Sequence, residues 1–186
     1  MIQYLALTIL FCCVCNSTGI TSSQIITNAK TWLNPPVPYS QSLYHNGYRQ
    51  DCSGYVSMVT FFFPSPKNVI LIKIYFPFIF LIPFHQAWQL GTSATTSTLG
   101  SYSTKISKSE LIAGDILLNA GEHVLIFDKW ANSGQTSYWA YEQHPDKTEY
   151  HTVSYPYWSN YDPSSYIPYR YNKMTLSANE TMSAGR

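Results

Sequence analysis

The apolar pattern of this chain predicts an α+β domain, with helices early and an antiparallel sheet after them. Three observations carry that expectation. Apolar side chains recur at helical spacing in the stretches that begin at Ser22 and at Cys52. From Ile116 onward, short runs of Ile, Leu, Val, Phe, Tyr and Trp are separated by Gly, Asn and Ser, as strands are by turns. The 186 residues give room for one domain and show no internal repeat.

Residues 1–19 read as a secretory signal. An apolar run from Tyr4 to Val14 precedes Ser17 and Gly19, small residues that suit a signal peptidase, and the run is too short for a bilayer span of about 20 residues. Cys12, Cys13 and Cys15 would leave with it, so Cys52 is the cysteine that remains. The domain is expected over 20–174, with a disordered tail over 175–186 that carries the glycosylation sequon Asn179-Glu180-Thr181.

The first helix takes Ile25, Ile26, Ala29, Trp32 and Leu33 as its buried stripe, Ser22 or Ser23 as cap and Asn34-Pro35-Pro36 as stop. Val37 to Gln50 reads as a loop, rich in Tyr and His, that leads to Asp51-Cys52-Ser53-Gly54. Cys52 then opens a second helix, with Tyr55, Met58, Val59 and Phe62 at i, i+3, i+4 and i+7, and with Asp51 and Ser53 as acceptors for the first amides. A thiol at the first turn of a helix has its pKa drawn down from about 8.5 into roughly the 3.5–7.5 range, which makes it a usable nucleophile.

Residues 59–86 are unlike the rest. They hold seven of the nine Phe and no acidic residue, with prolines at 64, 66, 77 and 83. The stretch reads as an apolar insertion foreign to the domain. Joining Met58 to Ala87 restores the helical stripe through Leu90 and ends it at Gly91, and a first valine codon and a last glutamine codon supply the boundaries of an intron retained in frame. A Ser/Thr-rich loop is expected over 92–109, then strands at Ile116–Leu118, Val124–Trp130, Tyr138–Glu142, Tyr150–Val153 and Tyr169–Tyr171, the second and third joined through Asn132-Ser133-Gly134.

A charged fraction of 11% and a net charge of +1 leave no basic stripe for phosphates, so nucleic acid is not an expected partner. No stable membrane span is expected either. His144, Asp146, Glu149 and His151 lie close together, but their spacing matches no zinc pattern, and neither a metal nor a cofactor is expected.

Asp51-Cys52-Ser53-Gly54 at a helix start, Ala113-Gly114-Asp115-Ile116 opening a strand and His123-Val124 opening the next resemble the NlpC-type cysteine peptidases, papain-like hydrolases of the bacterial cell wall. The resemblance covers residues 23 to 143 apart from the Phe-rich stretch, and Val37-Pro38-Tyr39 resembles the Pro-Tyr that precedes the nucleophile there. The Gly-Gly pair that commonly follows that Tyr is absent. An acidic residue on the strand after the His also resembles the CHAP-type amidases, and the chain does not separate the two groups.

The resemblance implies a papain-like fold, secretion and a peptidoglycan or peptide substrate. Cys52 would attack a carbonyl carbon, His123 would carry the proton, and a third polar group would orient the imidazole. Successive strand residues point to opposite faces, so one of Glu142 and Gln143 faces His123. Glu142 is favoured because a carboxylate also stabilises an imidazolium. Tyr39 and Gln143 are taken as substrate-binding, Tyr39 as an added oxyanion donor, and His144 and His151 are expected to matter little. The alternative is a glycan-binding protein without turnover, gripping cell-wall sugar through Tyr155-Pro156-Tyr157-Trp158 and Tyr166 to Tyr171.

Overall fold

The computed structural model describes residues 19–59, 94–158, 165–178 and 180, and within them the fold is α+β. Strand β1 (Ile20–Thr21) runs straight into helix α1 (Ser22–Lys30). The cap is Thr21, not Ser22 or Ser23. Its hydroxyl accepts from the Gln24 amide while the Gln24 side chain accepts from the Thr21 amide, a reciprocal capping box. Ser22 instead donates its hydroxyl to the Ala113 carbonyl at 2.6 Å. Ile25, Ala29 and Trp32 are buried, as the stripe requires.

Val37 to Gln50 is not a loop. It contains the hairpin β2 (Ser40–His45) and β3 (Tyr48–Gln50), closed by Asn46-Gly47 with φ of 51° and 86°. Two successive positive φ values are what a two-residue hairpin turn of this hand demands, and Asn-Gly supplies them at the least steric cost.

Helix α2 (Cys52–Val59) starts directly after Asp51. The Asp51 carboxylate accepts from the Gly54 amide at 2.7 Å and from the Ser53 hydroxyl at 3.0 Å, and is paired with Arg49. A cap of this kind contributes about 1 kcal/mol. The expected one-sided stripe is wrong, because every residue of α2 is buried. The helix lies between α1, β3 and the sheet, so its Ser and Gly positions face neighbours too. Ser57 answers by donating to the Ser53 carbonyl at 2.7 Å. Of the apolar insertion, Val59 is described; it closes α2 inside the core, and its carbonyl accepts from Asn28 at 3.1 Å. Residues 60–86, and Ala87 to Gly91 after them, lie outside the described residues, as does the signal stretch 1–18.

The second half builds one antiparallel sheet from β4 (Ser103–Lys105), β5 (Ile116–Asn119), β6 (His123–Trp130), β7 (Ser137–Gln143), β8 (Thr148–Ser154) and β9 (Ile167–Tyr171), in the order β4-β9-β5-β6-β7-β8. Strands β5 to β8 meander out to the β8 edge, and β9 returns to pair with β5. The expected loop over 92–109 therefore holds an edge strand, whose Ser-Thr-Lys sequence lacks the apolar alternation by which strands are recognised. The chain past Met174, expected to be disordered, still pairs at β10 (Met174–Thr175) with β1.

The sheet is buried on both faces. Ile116, Leu118, Val124, Ile126 and Tyr141 pack toward α1 and α2, whereas Leu117, Leu125, Phe127, Tyr138, Ala140 and Val153 pack under Leu111, Tyr157 and Tyr166. Burial on two sides explains the unbroken apolar run Val124 to Phe127, each side chain of which contributes about 1.5–3 kcal/mol when fully removed from water. Asp115, fully buried at the entry to β5, takes a bidentate pair from Arg170 of β9 at 2.9 and 2.7 Å and an amide hydrogen from Ile112. That pair locks the returning strand beside the meander. Among the described residues, no helix is long and apolar enough to cross a membrane.

Candidate active site

Cys52 occupies the first position of α2, as a free and buried thiol. The backbone before it is held by Arg49, which reaches both the Asp51 carboxylate and, at 2.9 Å, the Ser53 hydroxyl. Gly54 lies so close to β3 that a Cβ added there would stand 2.0 Å from the Arg49 carbonyl oxygen. The turn into α2 therefore fits only glycine at that position, and the fit sets where the thiol points.

His123 is the first residue of β6, so its ring stands at the rim of the sheet, where the amino end of α2 arrives from the other face. Its Nε2 lies 2.6 Å from Oε1 of Glu142, and the ring also engages the Cys52 side chain. With Nε2 taken by Glu142, Nδ1 is the nitrogen left for the thiol. Burial is the largest single influence on His123 and would lower its pKa. The hydrogen bonds to Cys52 and Glu142, with their charges, reverse that and raise it to about 9.

Strand parity selects the third group. Phe127 pairs with Ala140 and Ile126 with Tyr141; one further step sets Glu142 opposite Leu125, on the face that His123 shares. Glu142 is fully buried, and three contacts compensate its charge: Oε1 accepts from His123 and from the Tyr157 hydroxyl, each at 2.6 Å, and Oε2 accepts from His151 at 2.7 Å. Burial alone would push this carboxyl up. The hydrogen bonds from His123 and His151, the charge of His123 and the Tyr157 hydroxyl hold it well below the ordinary carboxylate range. Tyr157 is itself stacked on Tyr166, with ring centroids 4.4 Å apart.

Gln143 points the other way. It is fully buried, donates to the Val37 carbonyl at 3.1 Å and accepts from the Thr148 hydroxyl, so both ends of its amide are used inside the fold. It is a clamp on the segment before β2, and neither the third residue nor a surface for substrate. Tyr39 sits on that clamped segment, with its amide on the Asp146 carbonyl at 3.1 Å. Its hydroxyl accepts from Gln41, also at 3.1 Å.

Two residues of this network were not foreseen. His151, expected to matter little, holds the second oxygen of Glu142, and Tyr157, named only in the alternative glycan-binding reading, holds the first. Tyr157 and Tyr166 are buried, so they belong to the site's wall and not to a stacking surface. No local pattern in the chain marks His151: it is the pairing of Gln143 with Thr148 across the turn that sets His151 opposite Ala140 and on the face of Glu142. Among the described residues no group of three His, Cys, Asp or Glu side chains is arranged to hold a metal ion.

The arrangement can do one kind of chemistry directly: a thiol beside an imidazole that a buried carboxylate supports can pass its proton to the ring and attack an electrophilic carbon. No family model, curated protein or solved structure matches this chain.

Proposed function

We propose that this chain is a secreted cysteine hydrolase that cleaves amide bonds, with bacterial peptidoglycan as the substrate that the NlpC-type and CHAP-type resemblance implies. The observation that carries the reading is the connected path from Cys52 through His123 to Glu142, in which each group is held by the fold and not by one another alone. A buried structural cysteine needs no such partners.

In this reading the Cys52 thiol proton passes to His123, and the sulfur attacks the amide carbonyl to form a tetrahedral adduct. Two first-turn amides already have Asp51 as partner, Gly54 through its side chain and Tyr55 through its carbonyl. The oxyanion donors are then the amides of Cys52 and Ser53 at the positive end of α2. His123 returns the proton to the leaving nitrogen as the C–N bond breaks, leaving a thioester and a free amine. Water, deprotonated by His123, then attacks the thioester; the C–S bond breaks, a carboxylic acid leaves and the thiol is restored. Glu142 keeps the ring in the tautomer with hydrogen on Nε2 and stabilises the imidazolium at each stage.

The test is digestion of purified peptidoglycan, with the released fragments identified by mass. The wild-type protein is expected to release peptide or amino-sugar fragments, and Cys52→Ala to release none. Equal release from both proteins would overturn the reading.

A further inference from the structure

We propose that His151 is a positioning residue for the catalytic pair: its Nε2 hydrogen bond to Oε2 of Glu142 fixes the plane of that carboxylate and so aims Oε1 at His123. The inference rests on the cysteine-hydrolase reading above.

Three adjacent strands supply the row. His123 stands on β6, Glu142 on β7 and His151 on β8, all on one face of the sheet, and strands about 4.8 Å apart bring such side chains within mutual reach. A carboxylate bonded at one oxygen turns about its last side-chain torsion with little cost, because torsions of that type are broad. Here each oxygen has its own imidazole, at 2.6 and 2.7 Å, and the Tyr157 hydroxyl adds a second bond to Oε1. The charge of Glu142 is fully buried, so an oxygen left without a donor would be costly, and the pull to keep both bonds is strong.

The setting of His151 suits a support and not a reacting group. Its ring touches Glu142, lies 6.5 Å from His144 and 6.4 Å from Trp158, and feels Glu149 on its own strand. His123 from β6 and Tyr157 from the segment after β8 face the same carboxylate from the other side. His151 meets Cys52 only through Glu142 and His123.

The experiment measures the rate at which iodoacetamide alkylates Cys52 at pH 6, followed by mass, in wild type, His151→Ala, His151→Phe and His151→Gln. Phe keeps the ring volume without the donor, and Gln restores an N–H at comparable reach. The wild type is expected to react well above the rate of a free cysteine. His151→Ala and His151→Phe are expected to fall about tenfold, in line with the loss of one hydrogen bond to a charged group. His151→Gln is expected to recover to within about twofold. An unchanged or faster rate in His151→Ala and His151→Phe overturns the proposal, since His151 would then be idle or would compete with His123 for the carboxylate. A loss that Gln fails to rescue also overturns it, by assigning the effect to imidazole charge. A wild type no faster than free cysteine would instead strike at the hydrolase reading, and the inference would fall with it.

Discussion

Glu142 is the residue on which the electrostatics of the site converge, and its partners make a pH prediction with a definite sign. Its folded carboxyl lies well below the ordinary 4.5, so its contribution to stability is present above about pH 4.5 and is lost as pH falls toward the folded value. His123 is raised from 6.5 to about 9, so its contribution is complete below about 6.5 and is lost as pH rises through 9. The thermal midpoint is therefore expected to be highest between about pH 4.5 and 6.5 and to fall on both sides. Glu142→Gln removes the shared charge and should flatten both flanks in a melting series. The same substitution is expected to cut turnover roughly 10²- to 10⁴-fold while leaving more activity than Cys52→Ala. A melting profile that keeps both flanks in Glu142→Gln would show that the ion pair does not set them.

At the scale of the element, α2 places the Cys52 thiol, and its placement depends on how closely β3 approaches. Gly54→Ala sets a methyl group 2.0 Å from the Arg49 carbonyl, which no side-chain movement relieves because the neighbour is backbone. The expected cost is about 3 kcal/mol, the upper part of the range for overpacking. The shifted helix start should also slow Cys52 alkylation, although Cys52, His123 and Glu142 are all intact. A melt and an alkylation rate equal to wild type would mean that β3 yields easily and does not aim the thiol. The burial of α2 on every side has the same origin. A helix wedged between another helix, a hairpin and a sheet has no solvent face, so its polar positions bond inward, as Ser57 does to Ser53.

For the whole molecule, the open matter is the insertion proposed over 59–86. Val59 ends α2 in the core beside Val56, Leu99, Ile116 and Tyr171, and joining Met58 to Ala87 would place a small apolar residue at that buried position with Trp88 and Leu90 following. The shortened protein is expected to fold, to stay soluble at higher concentration and to keep the wild-type rate of Cys52 alkylation. Circular dichroism, light scattering and that rate are the measurements. A shortened protein that fails to fold while the full chain folds, together with transcripts that always carry these codons, would refute the insertion.

Helices α1 and α2 and strands β5 to β9 were legible because alternation and 3.6-residue spacing are local properties of the chain, whereas the polar strands β2, β3 and β4 carry no such pattern: Ile25, Ala29 and Trp32 declared one buried face, and Val124 to Phe127 a strand buried on two. The candidate pair was legible for a related reason, since Cys52 at a helix start and His123 at a strand start sit at element boundaries that turn residues announce. Glu142 over Gln143 was not decided by the chain itself. It depends on the register between β6 and β7, where a step of one residue exchanges the faces and would have sent the amide to His123 and the carboxylate to Val37. His151 and Tyr157 entered only through tertiary structure, because a third strand and the segment after it must fold over β7 before either can reach the carboxylate. Sequence determined which groups had the chemistry. Register and packing decided which of them meet, since a hydrogen bond across strands depends on alignment that no single strand encodes.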